Sequence, residues 1–427
     1  LWMEEKTEVL AANVSGVQGT GGTSLSFSGL STAHGILTVD WDNDFEVDLA
    51  LAGADGFRLF RRVQSGGVED VTSRTGLAAE VTGTACLGVW GADIEMDGDV
   101  DLVLGRSEGA PLVLRNNGDG SFVVQEPFGG LERVKGFVWT DHDGDGDPDA
   151  AMLDGQGQLV EAINERAGVF EIGSERPMAG IVLAAGDLDR DGEVERLVLD
   201  RDGNVIASSQ GEIRNLVSSS PPVETPMLLV ADLDNNGALD LVSGKRAWLA
   251  DDSEFQSLEV GGQVTGVVDL TGDGRLDLLG VSDAGEAVRL VNQGKREYHW
   301  QAIRPLGGEA LGDRRINALG LGAEVELRSG LLYQKQVVTD PVVHFGLGTH
   351  TGADLVRIVW PNGTPQAEFD LKANQLVRAV QRLKGSCPWV FAYNGSGMEF
   401  VTDFLWRSPL GMRINSQVVV GTAQTED

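Results

Sequence analysis

The acidic nonapeptide DHDGDGDPD, Asp141 to Asp149, recurs in altered form five more times along the chain, and this repetition constrains the fold more than any other feature. The other copies are DWDNDFEVD from Asp40, DIEMDGDVD from Asp93, DLDRDGEVE from Asp187, DLDNNGALD from Asp232 and DLTGDGRLD from Asp269. Their first residues lie 53, 48, 46, 45 and 37 positions apart, a spacing that suits a four-stranded propeller blade. Each copy sits between short apolar runs, such as GFVWT before Asp141 and MLLVA before Asp232, then LVLG after Asp101 and LVSG after Asp240. Runs this short, bounded by turn residues, read as buried strands, because a helix needs about ten residues or more. PLVLRNNGDGSFVVQE adds a hairpin whose turn spans Asn116 to Gly120. Four strands per repeat, repeated six times, predict an all-β propeller, in which ring closure removes exposed sheet edges.

The bulk composition fits that fold and excludes several functions. Hydrophobic residues make up 41% of the chain, a globular proportion, and 58 glycines suit tight turns between many short strands. Against 33 bases stand 65 acids, a formal charge of -32 with no basic run, which argues against nucleic acid and against anionic membrane surfaces. No apolar stretch approaches the roughly 20 residues of a membrane-spanning helix. At 427 residues, two or more domains or one large symmetric one are expected. Cys86 and Cys387 lack CxxC spacing and read as small buried apolar side chains rather than a long-range disulfide. The chain opens on Leu1 and ends on GTAQTED without a closing element, so it reads as a piece of a longer protein, and the lack of a signal peptide says nothing about location.

Five carboxylates in one short turn need a counter-charge. At an effective dielectric near 20, two carboxylates about 5 Å apart repel by roughly 3 kcal/mol. Numbered from the first aspartate, positions 1, 3, 5 and 9 carry oxygen-bearing side chains in every copy. They are Asp40, Asp42, Asp44 and Asp48, then Asp93, Glu95, Asp97 and Asp101, then Asp141, Asp143, Asp145 and Asp149. The last three copies supply Asp187, Asp189, Asp191 and Glu195, then Asp232, Asp234, Asn236 and Asp240, then Asp269, Thr271, Asp273 and Asp277. Position 7 is indifferent to side-chain chemistry, with Glu46, Asp99, Asp147, Glu193, Ala238 and Arg275, as expected of a ligand that offers its backbone carbonyl. Position 6 is glycine in five copies and Phe45 in the first.

Hard oxygen donors, with no cysteine and only His142 at a second position, point to Ca²⁺ over Zn²⁺ or Cu²⁺, and the density of carboxylates to Ca²⁺ over Mg²⁺. An EF-hand is excluded by the lack of a glutamate at position 12 and by strand-like flanks; a dockerin is excluded by the lack of helices. The plain alternative is a set of metal-free Asp/Asn/Gly turns, against which six copies and a tolerant seventh position weigh. Loops at Asp93, Asp141 and Asp187 carry acids at every ligand position and are expected to be the tightest. The loop at Asp269, with Thr271 and Arg275, is expected to be the weakest. Six Ca²⁺ would move the charge from -32 to about -20 and brace adjacent strands.

These loops resemble the FG-GAP or VCBS-type repeats of integrin-α-like propellers, in particular those of the cartilage acidic protein family. DVTSRTGL, 70 to 77, resembles a segment that precedes a blade there, and INALGLGAEVEL (316 to 327), HFGLG (344 to 348) and VRIVWPNG (356 to 363) resemble the ASPIC/UnbV domain that follows the propeller. The stretch from Lys384 to Ile414 is similar to a segment following this domain in bacterial members. The resemblance implies a seven-bladed propeller, six blades bearing acidic loops, followed by a smaller β domain in a bacterial, exported protein. The expected organisation is an N-terminal segment, 1 to 30, that helps close the propeller, then the propeller at 31 to 300, the β domain at 301 to 384, and a truncated β segment from 385 to 427. Phe45 and Arg275 depart from the loop pattern and mark the Asp40 and Asp269 loops for reduced occupancy.

No catalytic constellation stands out. The sequence has no HExxH and no GxSxG, and the GKR at Gly244 lacks the spacing of a phosphate loop. His344 and His350 read as packing and turn residues, and Trp360, ending an apolar strand, as core. The expected function is therefore non-enzymatic: a calcium-stabilised, extracytoplasmic scaffold for an unidentified protein partner, as a periplasmic, cell-surface or secreted protein or a subunit of a surface assembly. The alternative is a glycan-binding or glycan-processing protein that uses the propeller's central cleft. Cytosolic calcium is too low to fill loops of extracellular affinity, which favours export.

Overall fold

The computed structural model describes residues 33–382 apart from 64–66, 146, 166–167, 174–175, 210, 219–226, 252–253 and 309–315, together with 11–13, 16–18, 24–25, 27, 389–393, 395–403, 412–415 and 418–420. The chain is all-β, with Ala79–Thr82 the sole α-helix among the described residues. Cys86 is buried, and Cys387 lies outside the described residues.

Six antiparallel sheets follow one another between residues 36 and 290, and each contains one acidic loop. The first is built from Ile36–Val39, Asp48–Gly53, Gly56–Arg62 and Val68–Asp70, hydrogen-bonded in chain order. The next four repeat that order, the third with an extra strand, Arg176–Ala179, and the sixth has three strands. In every sheet the acidic loop joins the first strand to the second. The position-9 acid is always the first residue of the second strand, paired with the residue just before the loop: Val39 with Asp48, Ala92 with Asp101, Thr140 with Asp149, Gly186 with Glu195, Ala231 with Asp240 and Val268 with Asp277.

The period of two along a strand explains why these sheets pack face to face. In Asp48–Gly53, Ala50 and Ala52 join Val89, Leu102 and Leu104 of the second sheet, while Leu49 and Leu51 turn the other way onto Phe27 and Phe60. Met152 faces the second sheet with Val103 and Val113, while its neighbours Ala151 and Leu153 face Leu183 and Val198 of the fourth. The fourth and fifth sheets share Leu197 and Leu241, and the fifth and sixth share Val242 and Leu278. Strands buried on both faces read as continuous apolar runs, as the sequence does. Upstream, Ala11–Asn13, Gly16–Gln18 and Ser24–Leu25 form a further three-stranded sheet.

A second domain follows. His299–Leu306 pairs with Val343–Gly348 and, in parallel, with Gln375–Val380; a four-stranded sheet, Leu332–Val337, Glu324–Ser329, Gly352–Val359 and Pro365–Lys372, faces it across one core. Trp360 belongs to that core at 1% exposure and donates its Nε1 hydrogen to Gln366 Oε1. Two hairpins, Trp389–Tyr393 with Met398–Asp403 and Met412–Asn415 with Val418–Val420, lie beyond it.

Met152 is fully buried between sheets, so truncation leaves a cavity that the two neighbours cannot both close. Met152→Ala is expected to cost about 2–5 kcal/mol, read as a lower urea midpoint with unchanged slope.

Candidate metal centres

The six loops share one backbone. Position 4 has a left-handed conformation throughout: Asn43 (φ 56°), Met96 (55°), Gly144 (77°), Arg190 (63°), Asn235 (60°) and Gly272 (71°). Position 6 does as well, in Gly98, Gly192, Gly237 and Gly274, while Gly146 lies outside the described residues. Phe45 adopts φ 67° at that position, at a cost of about 1–2 kcal/mol that glycine avoids. This strain is the physical content of the departure noted in the first loop.

Hydrogen bonds within each loop explain the pattern of its residues. The position-1 carboxylate accepts from backbone N–H groups at the turn: Asp40 from Asp44 and Phe45, Asp93 from Asp97 and Gly98, Asp232 from Asn236 and Gly237. The position-5 side chain accepts from the position-7 N–H in all six, from Asp44 with Glu46 to Asp273 with Arg275. Position 7 therefore contributes backbone, and its side chain is free to be Ala238 or Arg275. The position-9 acid ties the loop to the sheet. One oxygen of Asp101 accepts from Ile94 in the loop at 2.9 Å, the other from Asn116 on the third strand at 2.7 Å; Asp149 and Asp240 repeat both bonds, and Asp277 accepts from Leu270 in the loop and from Asn292 just past the third strand.

In four loops the acids converge. Asp40, Asp42 and Asp48 each offer an oxygen within 4.8 Å of the others, as do Asp141, Asp143 and Asp149, then Asp187, Asp189 and Glu195, then Asp232, Asp234 and Asp240. Asp42 Oδ1, Asp48 Oδ2 and Asp187 Oδ1 are buried without a hydrogen-bond partner. Such oxygens cost free energy unless a cation meets them, so the donor set fits a hard divalent ion. The loops at Asp93 and Asp269 do not form such a group among the described residues. Glu95 is held by Arg115, and Asp273 by its neighbour Arg275 at 2.7 Å. Acid content alone marks the Asp93 loop as one of the tightest, whereas its acids do not converge among the described residues, and Arg115 engages its third position.

Arginines stand at the other loops too. Arg61 reaches Asp42 at 2.6 Å and Asp44 at 2.9 Å, Arg214 reaches Asp189 and Glu195 at 3.3 Å, and Arg296 reaches Asp234 at 3.0 Å. All three guanidinium groups are solvent-exposed, whereas Asp42, Asp234 and Glu195 on the other side of these pairs are largely buried. Without an ion, burial pushes the carboxyls up, and neighbouring acids add to the effect: Asp40, Asp187 and Asp232 to about 7, Asp48 and Asp240 to about 8, and Asp149 to about 6.

A recurrent asparagine was not singled out in the sequence. Asn116, Asn164 and Asn292 each stand 15 residues after the position-9 acid and donate Nδ2 to the carbonyl just before it, Val100, Pro148 or Leu276. Asn116 and Asn292 also reach the preceding loop, at Trp41 and Leu233, so neighbouring loops are stitched together. The fixed offset of 15 was the available signal.

Residues 93–152 match the family model of the FG-GAP-like repeat, and residues 313–384 match that of ASPIC and UnbV. The chain thus carries FG-GAP-like repeats followed by an ASPIC/UnbV domain; neither match bears the cartilage acidic protein name. No curated protein matches the chain. Among solved structures, an Agrocybe aegerita lectin specific for non-reducing terminal N-acetylglucosamine is similar with a TM-score of 0.45 and 19% identity, over 66% of this chain and 89% of that one. BBS1N, solved with ARL6DN, gives 0.39 and 11%, over 79% and 91%. PorZ, a surface component of the type-IX secretion system of Porphyromonas gingivalis, gives 0.37 and 13%, over 92% and 56%. At scores this low none of these likenesses bears on what the chain binds.

The raised carboxyls carry a sign. Unfolded aspartates ionise near about 3.9, so the folded, metal-free chain holds more protons than the unfolded chain from about pH 4 to 8, and its stability falls as pH rises through that window. Calcium-stripped protein is expected to melt lower at pH 8 than at pH 6, and calcium-loaded protein to lose that slope, in scanning calorimetry.

Proposed function

We propose that this chain is a calcium-stabilised, non-catalytic, extracytoplasmic scaffold that presents a propeller surface to a protein partner. The observation that carries the reading is the convergence of three acids in each of four loops, two of which hold buried oxygens without partners. Asp40, Asp42 and Asp48 would hold one ion, Asp141, Asp143 and Asp149 a second, Asp187, Asp189 and Glu195 a third, and Asp232, Asp234 and Asp240 a fourth. Bound Ca²⁺ supplies charge neutralisation and a crosslink between two strands. Its free energy adds to folding because the unfolded chain has no such site.

Three further points support the architecture and address. Six consecutive sheets plus the three-stranded sheet at residues 11–25 make seven, and Phe27 packs on the face of the first sheet that the second does not cover, which favours the seven-bladed ring with the N-terminal segment as its closing element. FG-GAP-like repeats are typical of extracellular proteins, and loops of this kind fill at extracellular rather than cytosolic calcium. No helix among the described residues is long and apolar enough to cross a membrane.

Metal analysis of the purified chain, with calorimetry in calcium and after stripping, tests the reading. About four Ca²⁺ per chain and a melting temperature that falls by roughly 10 °C or more on stripping are expected. Asp187→Asn is expected to lose one ion, whereas Asp273→Asn keeps the stoichiometry. Absence of bound metal with unchanged melting would sink the proposal and the location with it.

A second reading, glycan binding, draws on the seam between the repeats and the second domain rather than on a central cleft. Two concave clefts of about 530 and 360 Å³ share Tyr298; the first is also lined by Tyr333, Arg190 and His350, the second by Trp300, Asn374 and Asp273. Aromatic rings beside polar groups suit a neutral sugar. Saturation transfer to cellotetraose or maltotetraose that disappears in Tyr298→Ala is the expected result under this reading; no transfer to either sugar removes it.

A further inference from the structure

The second domain rests on the acidic-loop side of the repeats, and two asparagines at the same loop position hold it in the same way. Asn43, fourth in the first loop, donates Nδ2 to the Gly98 carbonyl at 3.1 Å and to Asp99 Oδ1 at 3.0 Å in the second loop. Its Oδ1 accepts from the Ala318 N–H of the second domain at 2.8 Å. Asn235, fourth in the fifth loop, donates Nδ2 to the Gly274 carbonyl of the sixth loop at 2.8 Å. Its Oδ1 meets His344 Nε2 at 2.7 Å, and its own carbonyl accepts from the Gly348 N–H at 2.8 Å. Both side chains are buried, at 7% and 3% exposure, and both backbones are left-handed.

Close approach reinforces the second clamp. A Cβ on Gly346 would lie 1.9 Å from Asp232 Oδ2, and one on Gly274 would lie 1.8 Å from Trp300 Nε1. The HFGLG segment therefore touches the fifth loop with its histidine and both of its glycines, and Trp300, stacked on His344, covers the sixth.

Each clamp residue stands between candidate ligands. Asn43 follows Asp42, whose Oδ1 is buried without a partner, as is Oδ2 of the almost fully buried Asp48; Asn235 follows Asp234. Asn43 and Asn235 dock the domain from this left-handed pose, and each lies in the turn that also carries the converging acids of its loop. Whatever stabilises one partner of such a pair stabilises the other by the same factor.

We infer that docking of the second domain and cation loading of the Asp40 and Asp232 loops are one linked equilibrium. Metal holds Asn43 and Asn235 in the docking pose, and the docked domain tightens metal in those two loops. This rests on the calcium reading above.

The test is hydrogen exchange on the full chain, with Ca²⁺ binding measured in parallel by calorimetric titration. Stripping calcium is expected to speed exchange at least tenfold in segments 316–322 and 344–350, which hold Ala318 and Gly348, while the strand Gly352–Val359 inside the domain stays protected. Asn43→Ala with Asn235→Ala is expected to weaken two of the calcium sites about tenfold and leave the others unchanged. Should that variant fail to fold, His344→Gln, outside the loops, reads the same linkage at the Asp232 loop alone. A chain that binds calcium but exchanges equally in both segments with and without it overturns the linkage and leaves the calcium reading intact. A chain that binds no calcium at millimolar concentration overturns both.

Discussion

A buried carboxylate at the head of the second strand of each sheet organises the rest of this structure. Asp48, Asp101, Asp149, Glu195, Asp240 and Asp277 lie almost out of water, each at the point where an acidic loop becomes a strand. Burial of a charge is expensive unless hydrogen bonds and counter-charge meet it. In Asp101, Asp149 and Asp240 one oxygen takes a loop N–H and the other an N–H of the third strand, so loop, register and sheet are fixed by one side chain. The other acids of the loop are then forced close to it, and the like charge that results is what a divalent ion relieves.

Neutralisation is shared between two devices. Exposed arginines at the rim pair with position 3, 5 or 9, and the converging oxygens in four loops leave room for something stronger. The balance differs from loop to loop. Where Arg115 engages Glu95, the group does not converge; where Arg61 pairs with Asp42 through one oxygen only, the other stays buried and without a partner. The negative charge left without a counter-charge therefore differs from loop to loop in a chain whose formal charge is -32.

The same loops are also an interdomain surface. The face that carries the acids is occupied by the chain's own second domain, whose INALGLG and HFGLG segments supply Ala318, His344 and Gly348 to it. Those motifs thus have a physical explanation in docking: glycine where backbones must touch, histidine where an asparagine oxygen needs a donor. A partner bound by the scaffold would meet the sides and opposite face of the repeats, or the seam where the two domains join.

The repeats, their strands and the acidic loop register were legible in the chain because each is a local pattern: apolar runs of four to six residues, a nine-residue acidic register, glycine at the turn. Trp360 in the core and the hairpin at Asn116 followed from the same local rules. Relations between loops were not legible. That Arg115 lands on Glu95, that Asn116 reaches back to Trp41, and that Asn43 and Asn235 face another domain all depend on which sheets stand side by side. Sequence determined the blade-like unit because a strand's period and a turn's backbone are set within a few residues. Tertiary structure alone decided which loops gather their acids and what covers them, because counter-charge and burial come from residues tens to hundreds of positions away.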